Sequence, residues 1–151
     1  MSVKDVAEYI LRSCGEMTAM KLQKLVYYAQ AWSLVWDERP LFDERIEAWA
    51  NGPVCRSLYA AHRQQFIVRP ATLKAEEPEL DDRARNTIKA VTEFYNKQSA
   101  QWLSDLTHLE EPWKKARERA GAGAGDACEE EITLSDMHEY YSGLQATNAP
   151  L

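Results

Sequence analysis

The sequence predicts an all-α fold: one domain of six to seven helices around a central helix at 18–37, with at most a short extended pair near 41–50. Three observations carry this. With 151 residues and 45% apolar content, the chain suffices for one domain with its own core, and falls short of two comfortable ones. Apolar residues recur at three- and four-residue steps along most of the chain, and alternation is confined to the stretch around Ile46, Ala48 and Ala50. Helix-start residues precede most of the periodic runs, and no internal repeat interrupts the pattern.

Each element has its own signal. Ser2 with Asp5 forms a capping arrangement ahead of Val3, Val6, Ala7, Ile10 and Leu11, and Gly15 ends that helix after Ser13. Thr18 caps the longest helix, where Leu22, Leu25, Ala29, Trp32 and Trp36 make one stripe. A second stripe through Tyr27, Ala31 and Leu34 or Val35 marks it as packed from several sides. Pro40 breaks it, and Leu41–Ala50 reads as extended. Asn51-Gly52-Pro53 reads as a turn into a third helix, with Val54, Leu58 and Ala61 or His62 inward. Residues 63–80 form a connection, with Phe66-Ile67-Val68 as its anchor on the core. Asp81 or Asp82 caps a fourth helix with stripe Ala84, Ile88, Val91 and Tyr95. Ser99 starts a fifth that buries Trp102, Leu103 and Leu106. Thr107 and Glu110 have capping-box spacing, with Pro112 opening a sixth. Gly121-Ala-Gly-Ala-Gly125 is a flexible break, and Thr133 caps a last helix with Met137, Tyr140 or Tyr141, and Leu144 inward. The domain is expected to span 1–145, with 146–151 a frayed tail.

Composition narrows the functions. The net charge of −6 is unlike a domain that coats phosphate backbones, so nucleic acid is not the expected partner. Residues 1–74 hold 10 basic and 8 acidic side chains, and residues 75–151 hold 8 basic and 16 acidic. The acid lies in two runs, Glu76-Glu77 through Asp81-Asp82, and Asp126 with Glu129-Glu130-Glu131; solvated linkers or a face for a basic partner both account for them. No apolar stretch is long enough to span a membrane, and the N-terminus lacks a signal core. Cys14, Cys55 and Cys128 form no CxxC, which fits a reducing, cytoplasmic setting.

No catalytic constellation emerges. His62, His108 and His138 each lack a second ligand at metal spacing. Cys55 falls in the first turn of the expected third helix, a place that can lower a thiol pKa. Glu110 and Glu111 are adjacent, so they point about 100° apart on a helix and make a poor dyad. Lys21 and Lys24 on the long helix, and Lys114, Lys115, Arg117 and Arg119 after Trp113, can touch phosphate; a solvated helix face explains the second group equally. No cofactor is expected.

Three segments carry a resemblance. They are Met20-Lys-Leu-Gln-Lys-Leu-Val-Tyr-Tyr-Ala-Gln-Ala-Trp32, then Ile46-Glu-Ala-Trp-Ala-Asn-Gly-Pro-Val54 with Leu58-Tyr59, then Leu103-Ser-Asp-Leu-Thr-His-Leu-Glu-Glu-Pro-Trp113. With Ile132-Thr133 and Tyr140-Tyr141, their order and spacing resemble the Panacea domain, also described as SocA-like or GepA-like, over roughly residues 4–144. The resemblance implies an antitoxin, typically encoded beside a small toxin that it neutralises by direct protein contact. The toxins of such systems include alarmone-synthetase-type enzymes. One branch is a proteolytic adaptor for a ClpXP-type protease, and phage-borne members are common.

The motif residues are Lys21, Leu22, Lys24, Leu25, Tyr28, Ala29, Trp32, Trp49, Gly52, Pro53, Val54, Tyr59, Thr107, His108, Pro112 and Trp113, and they read as scaffold. Specificity is then expected elsewhere: the 63–82 connection, the 119–131 loop and the 114–119 helix. Candidate toxin contacts are the basic Lys114, Lys115, Arg117 and Arg119, facing an acidic patch, or the acidic Glu76, Glu77, Asp81 and Asp82, mimicking nucleic acid. Trp36, Tyr59, Trp113 and Tyr141 are the aromatic candidates for an interface. An adaptor role is the alternative, and a small enzyme using His108 with Glu110 or Glu111 is the weaker one.

Overall fold

A helix of eighteen residues, α2 (Ala19–Trp36), organises the molecule, and the computed structural model describes residues 1–148. Thr18 caps it by accepting from the Lys21 amide, as its sequence predicts. Fourteen of its side chains are buried, from Ala19 to Leu34, because helices pack on it from several sides. α1 (Val3–Cys14) opens with a complete Ser2–Asp5 capping box and lays Val3, Val6, Ala7, Ile10 and Leu11 on the core. α4 (Asp82–Tyr95), capped by Asp81, presents Ala84, Ile88, Val91 and Tyr95, the stripe its spacing predicts. α5 (Ala100–Leu109), α6 (Glu111–Ala120) and α7 (Leu134–Asn148) complete the shell, with α7 against α2 and α6. Thr133 accepts from the Asp136 amide at the start of α7. The fold is mainly α, with seven helices among the described residues.

The extended stretch is present and richer than a pair. β2 (Ile46–Trp49) pairs antiparallel with β3 (Gly52–Cys55), and β5 (Glu131–Ile132) adds to the other side of β2. A separate ribbon joins β1 (Met17–Thr18) to β4 (Ile67–Val68). Gly52-Pro53 corrects the expected helix start: both lie in β3, opposite Trp49 and Ala48, and α3 (Arg56–His62) begins three residues later. Proline is tolerated there because β3 is an edge strand, and position 53 points its absent N–H away from β2.

Both outer edges of this sheet are closed by side chains. Gln23 of α2 meets Cys55 as a strand would, accepting from its N–H (2.9 Å) and donating to its carbonyl (3.3 Å). Lys24 donates to the Pro53 carbonyl (3.1 Å). At the far edge, Arg119 donates to the Glu131 carbonyl (2.9 Å).

Other expectations need correction. Thr107 and Glu110 do not form a capping box: the Thr107 hydroxyl donates to the Ser104 carbonyl, and Glu110 is an N-cap without a side-chain bond to its helix. Trp102 and Trp36 are partly exposed rather than buried in their stripes, and Phe66 projects to solvent while Val68 alone anchors its strand. Tyr141 is wholly buried and offers no surface. α7 runs on through residues 146–148; the remainder of the expected frayed tail, 149–151, lies outside the described residues. All three cysteines are free thiols, and among the described residues no helix is long and apolar enough to cross a membrane.

Candidate functional site

Two of the three motif segments, distant in sequence, meet on one side of α2. The β2–β3 hairpin folds over the first turns of α2, and α3 follows it down the same side, leaving a groove of about 790 Å³ between them. Gln23 and Lys24 of α2, Trp49 and Val54 of the hairpin, and Tyr59 and His62 of α3 line it, with Phe66 and Glu129 at its margins.

The groove walls are fixed by polar contacts. Glu47 is buried, accepts from the Trp49 indole N–H (2.8 Å) and pairs with Arg56 (3.1 Å). Arg56 also pairs with Glu129 (2.8 Å) and lies over the Trp49 ring (5.6 Å). Tyr59 packs edge-on against both Trp49 and His62. Gln23 lies 2.9 Å from His62 Nε2 while its amide also donates to Cys55, so Nε2 is the acceptor and the imidazole is neutral. Burial lowers the His62 pKa in keeping with that. Cys55 lies at a helix start, a place that can lower a thiol pKa, yet it is buried and burial raises its thiol pKa.

Lys24 is the unusual member. It is 1% exposed, makes no ion pair among the described residues, and has the Pro53 carbonyl as its hydrogen-bond acceptor. Burial pushes its ammonium down to about 8. Gly52 makes room for it: a Cβ there would lie 2.6 Å from Lys24 Cε and 3.0 Å from Thr107 Oγ1. Gly52 also has φ of 121°, a conformation that favours glycine. Lys21, by contrast, donates to the Asn96 carbonyl (2.6 Å) away from Lys24 and does not stand as a free phosphate contact.

One turn further along α2, Tyr28 leads into a second buried polar cluster. Glu110 is 4% exposed and accepts from the Tyr28 (2.7 Å) and Tyr141 (2.8 Å) hydroxyls. Tyr27 and Tyr141 hydroxyls meet at 3.1 Å, and Trp32 donates to the Tyr95 hydroxyl (3.0 Å). Tyr95 stacks on Tyr28, with ring centroids 4.1 Å apart. Burial pushes the Glu110 carboxyl up to about 6, against the opposing pull of the two phenols. No sequence pattern singled out this cluster. Its only trace is an excess of tyrosines on helices, which does not reveal a shared acceptor.

The third motif brings Thr107, His108, Pro112 and Trp113 beneath the hairpin. His108 stacks on Trp113 (4.1 Å), whose indole donates to the Trp49 carbonyl (2.9 Å). Burial lowers the His108 pKa. No hydrogen bond joins His108 to Glu110 or Glu111 among the described residues, and Glu110 is spent on its tyrosines. No group of three or more His, Cys, Asp or Glu there could hold a metal.

The proposed contact residues differ among themselves. Arg117 is buried and donates to the carbonyls of Ala48 (2.9 Å), Gly123 (2.8 Å) and Asp126 (2.7 Å), clasping the glycine-rich loop rather than facing solvent. Arg119 pairs with Asp136 (2.9 Å). Asp81 caps α4 and holds Arg39 through two hydrogen bonds, which keep its carboxyl well below the usual range. Glu77 pairs with Arg12, and Asp82 with Arg85. Lys114 and Glu76 are exposed and form no ion pair among the described residues, and Lys115 is half-buried.

These motif-built features agree with one comparison. The family model described as antitoxin SocA-like, Panacea domain matches residues 22–114, well over half of the chain. That span includes Gln23, Lys24, the whole hairpin, Tyr59, His62 and Glu110. No curated protein and no solved structure matches the chain. The chain therefore belongs to the SocA-like antitoxin family and carries its Panacea domain.

Proposed function

We propose that this domain neutralises a co-encoded protein toxin by direct binding, covering the toxin's active or substrate site. The observation that supports this reading is the convergence of the family-matched residues on an open groove with an aromatic margin. Tyr59 and Phe66 hold apolar surface in water beside it, and such aromatics anchor protein contacts. The buried tyrosine cluster and the Arg117 clasp supply rigidity beneath that surface. Lys114 and Glu76 remain the charged candidates for tuning which toxin is bound.

Expression of the adjacent reading frame alone and together with this chain, followed by co-purification, tests the reading. Growth arrest by the neighbour, rescue by this chain and a stable complex are expected. A harmless neighbour, or rescue without association, would overturn it. Rescue accompanied by disappearance of the neighbour would point to delivery to a protease.

A further inference from the structure

The groove contains two features that the scaffold does not use. Its margin exposes Phe66 (77%), with Met20 and Tyr59 partly exposed beside it, apolar surface that no element among the described residues covers. Its floor holds Lys24, an ammonium with three N–H donors, one carbonyl acceptor at 3.1 Å and no carboxylate partner among the described residues. Other buried charges in the domain are answered: Glu8 by Arg12, Glu47 by Arg56, Glu110 by two phenols, and Arg117 by three carbonyls where Lys24 has one. Arg56, the other cation of the groove, is answered twice, by Glu47 and Glu129. The uncompensated charge in the groove is therefore a single positive one, in a chain whose net charge is −6.

We propose that this groove docks an apolar segment of a partner protein carrying one carboxylate, which Lys24 meets while the flanking side chains lie on Tyr59 and Phe66. The proposal rests on the reading that the domain acts by protein contact, and names the surface and the chemistry of that contact. One carboxylate is the matching anion because one cation is unanswered; a phosphate dianion would call for more donors than the floor supplies. A peptide segment is the matching occupant because the apolar margin stands in solvent beyond the floor, where only a longer ligand covers it. Lys24 has a flexible four-carbon stem and a single carbonyl acceptor, so engaging the carboxylate costs the domain one neutral hydrogen bond.

A panel of capped pentapeptides tests this on the full chain. Each has Glu at its centre, Trp, Phe, Leu or Met at the flanking positions, and a twin with Gln at the centre. Binding is followed by amide and indole NMR shifts, with adenosine monophosphate as a separate ligand. The best Glu peptides are expected to bind about tenfold tighter than their Gln twins, shifting Gln23, the Trp49 indole and Tyr59. Lys24→Met should erase the Glu preference while retaining the apolar part, and Tyr59→Ala, at the surface, should weaken both twins. Equal binding of twins across the panel, a preference that survives Lys24→Met, or tighter binding of adenosine monophosphate at these residues would overturn the proposal. The assay uses no toxin, so failure of toxin rescue with peptide selectivity intact would sink the antitoxin reading and leave the groove standing.

Discussion

Lys24 and Tyr28 lie one turn apart on the same face of α2, and each leads to a buried polar group solved in an opposite way. Beyond Tyr28, the Glu110 carboxylate has two hydroxyl donors, in a cage of stacked and edge-on rings. At Lys24, an ammonium of similar burial has one neutral acceptor and no counter-charge among the described residues. A buried charge with satisfied bonds stiffens and specifies a core; one left short lowers stability, and is a candidate for work outside the fold. The difference sets scaffold beside proposed site within a single helix.

The comparison can be broken most severely at Gly52. Gly52→Ala places a methyl against Lys24 Cε in a backbone conformation that disfavours side chains, and should destabilise the domain by about 3 kcal/mol in urea unfolding. Part of that loss should return in Gly52→Ala/Lys24→Ala, because the clash is with the flexible end of Lys24. Additive losses in that double variant would place the strain in the backbone alone.

Lys24→Met sharpens the comparison. The folded state holds Lys24 at about 8, against 10.5 for the ordinary ammonium. A folded pKa so depressed means the stability contribution is present above about 10.5 and lost as pH falls through about 8. At pH 7 the buried charge costs roughly 3 kcal/mol, and removing it with the Pro53 hydrogen bond should yield about 2 kcal/mol of added stability. That gain should shrink steadily from pH 8 to 10.5. A loss of stability at pH 7 would mean that Lys24 is ordinary scaffold.

Glu110→Gln should behave with the opposite pH sense. The carboxyl is raised to about 6 from 4.5, so its contribution is complete below 4.5 and is lost as pH rises through 6. Gln is neutral and still accepts from both phenols, so the variant should be flatter between those values and about 1 kcal/mol more stable at pH 7.5. Thermal midpoints across that range check it. The smallest effect is expected at His62, where burial lowers the pKa. Its contribution is present above about 6.5 and declines as pH falls below that. A His62→Gln variant should lose this acid sensitivity while keeping a partner for Gln23.

The helices were legible because their information is local. Ser2–Asp5, Thr18 and Asp81 cap where their spacing says, and the stripes of α1 and α4, and that of α2 as far as Trp32, face the core. The sheet was not legible to the same depth. β5 pairs with β2 across some eighty residues of chain, Ile132 opposite Ile46, and two residues of strand carry no periodicity of their own. Pro53 misled because proline suits both a first helical turn and an edge strand, and only the partner strand decides. Arg117 reads as part of a solvated basic run, yet three carbonyls converge on it, one from distant Ala48 and two from the loop after its own helix. The motif residues of the groove were identified by resemblance, whereas the buried state of Lys24 and the Glu110 cage required tertiary contacts that spacing does not encode.

Gln23 and Lys24 on one margin of the three-stranded sheet, and Arg119 on the other, also decide how this molecule can meet its neighbours. At this sheet those side chains occupy backbone groups that a strand from another chain would need, so they disfavour strand addition here, and with it the same route to self-polymerisation. Recognition is left to side chains mounted on a fixed frame. Exchanging those side chains would alter what this face can bind without rebuilding the backbone beneath it.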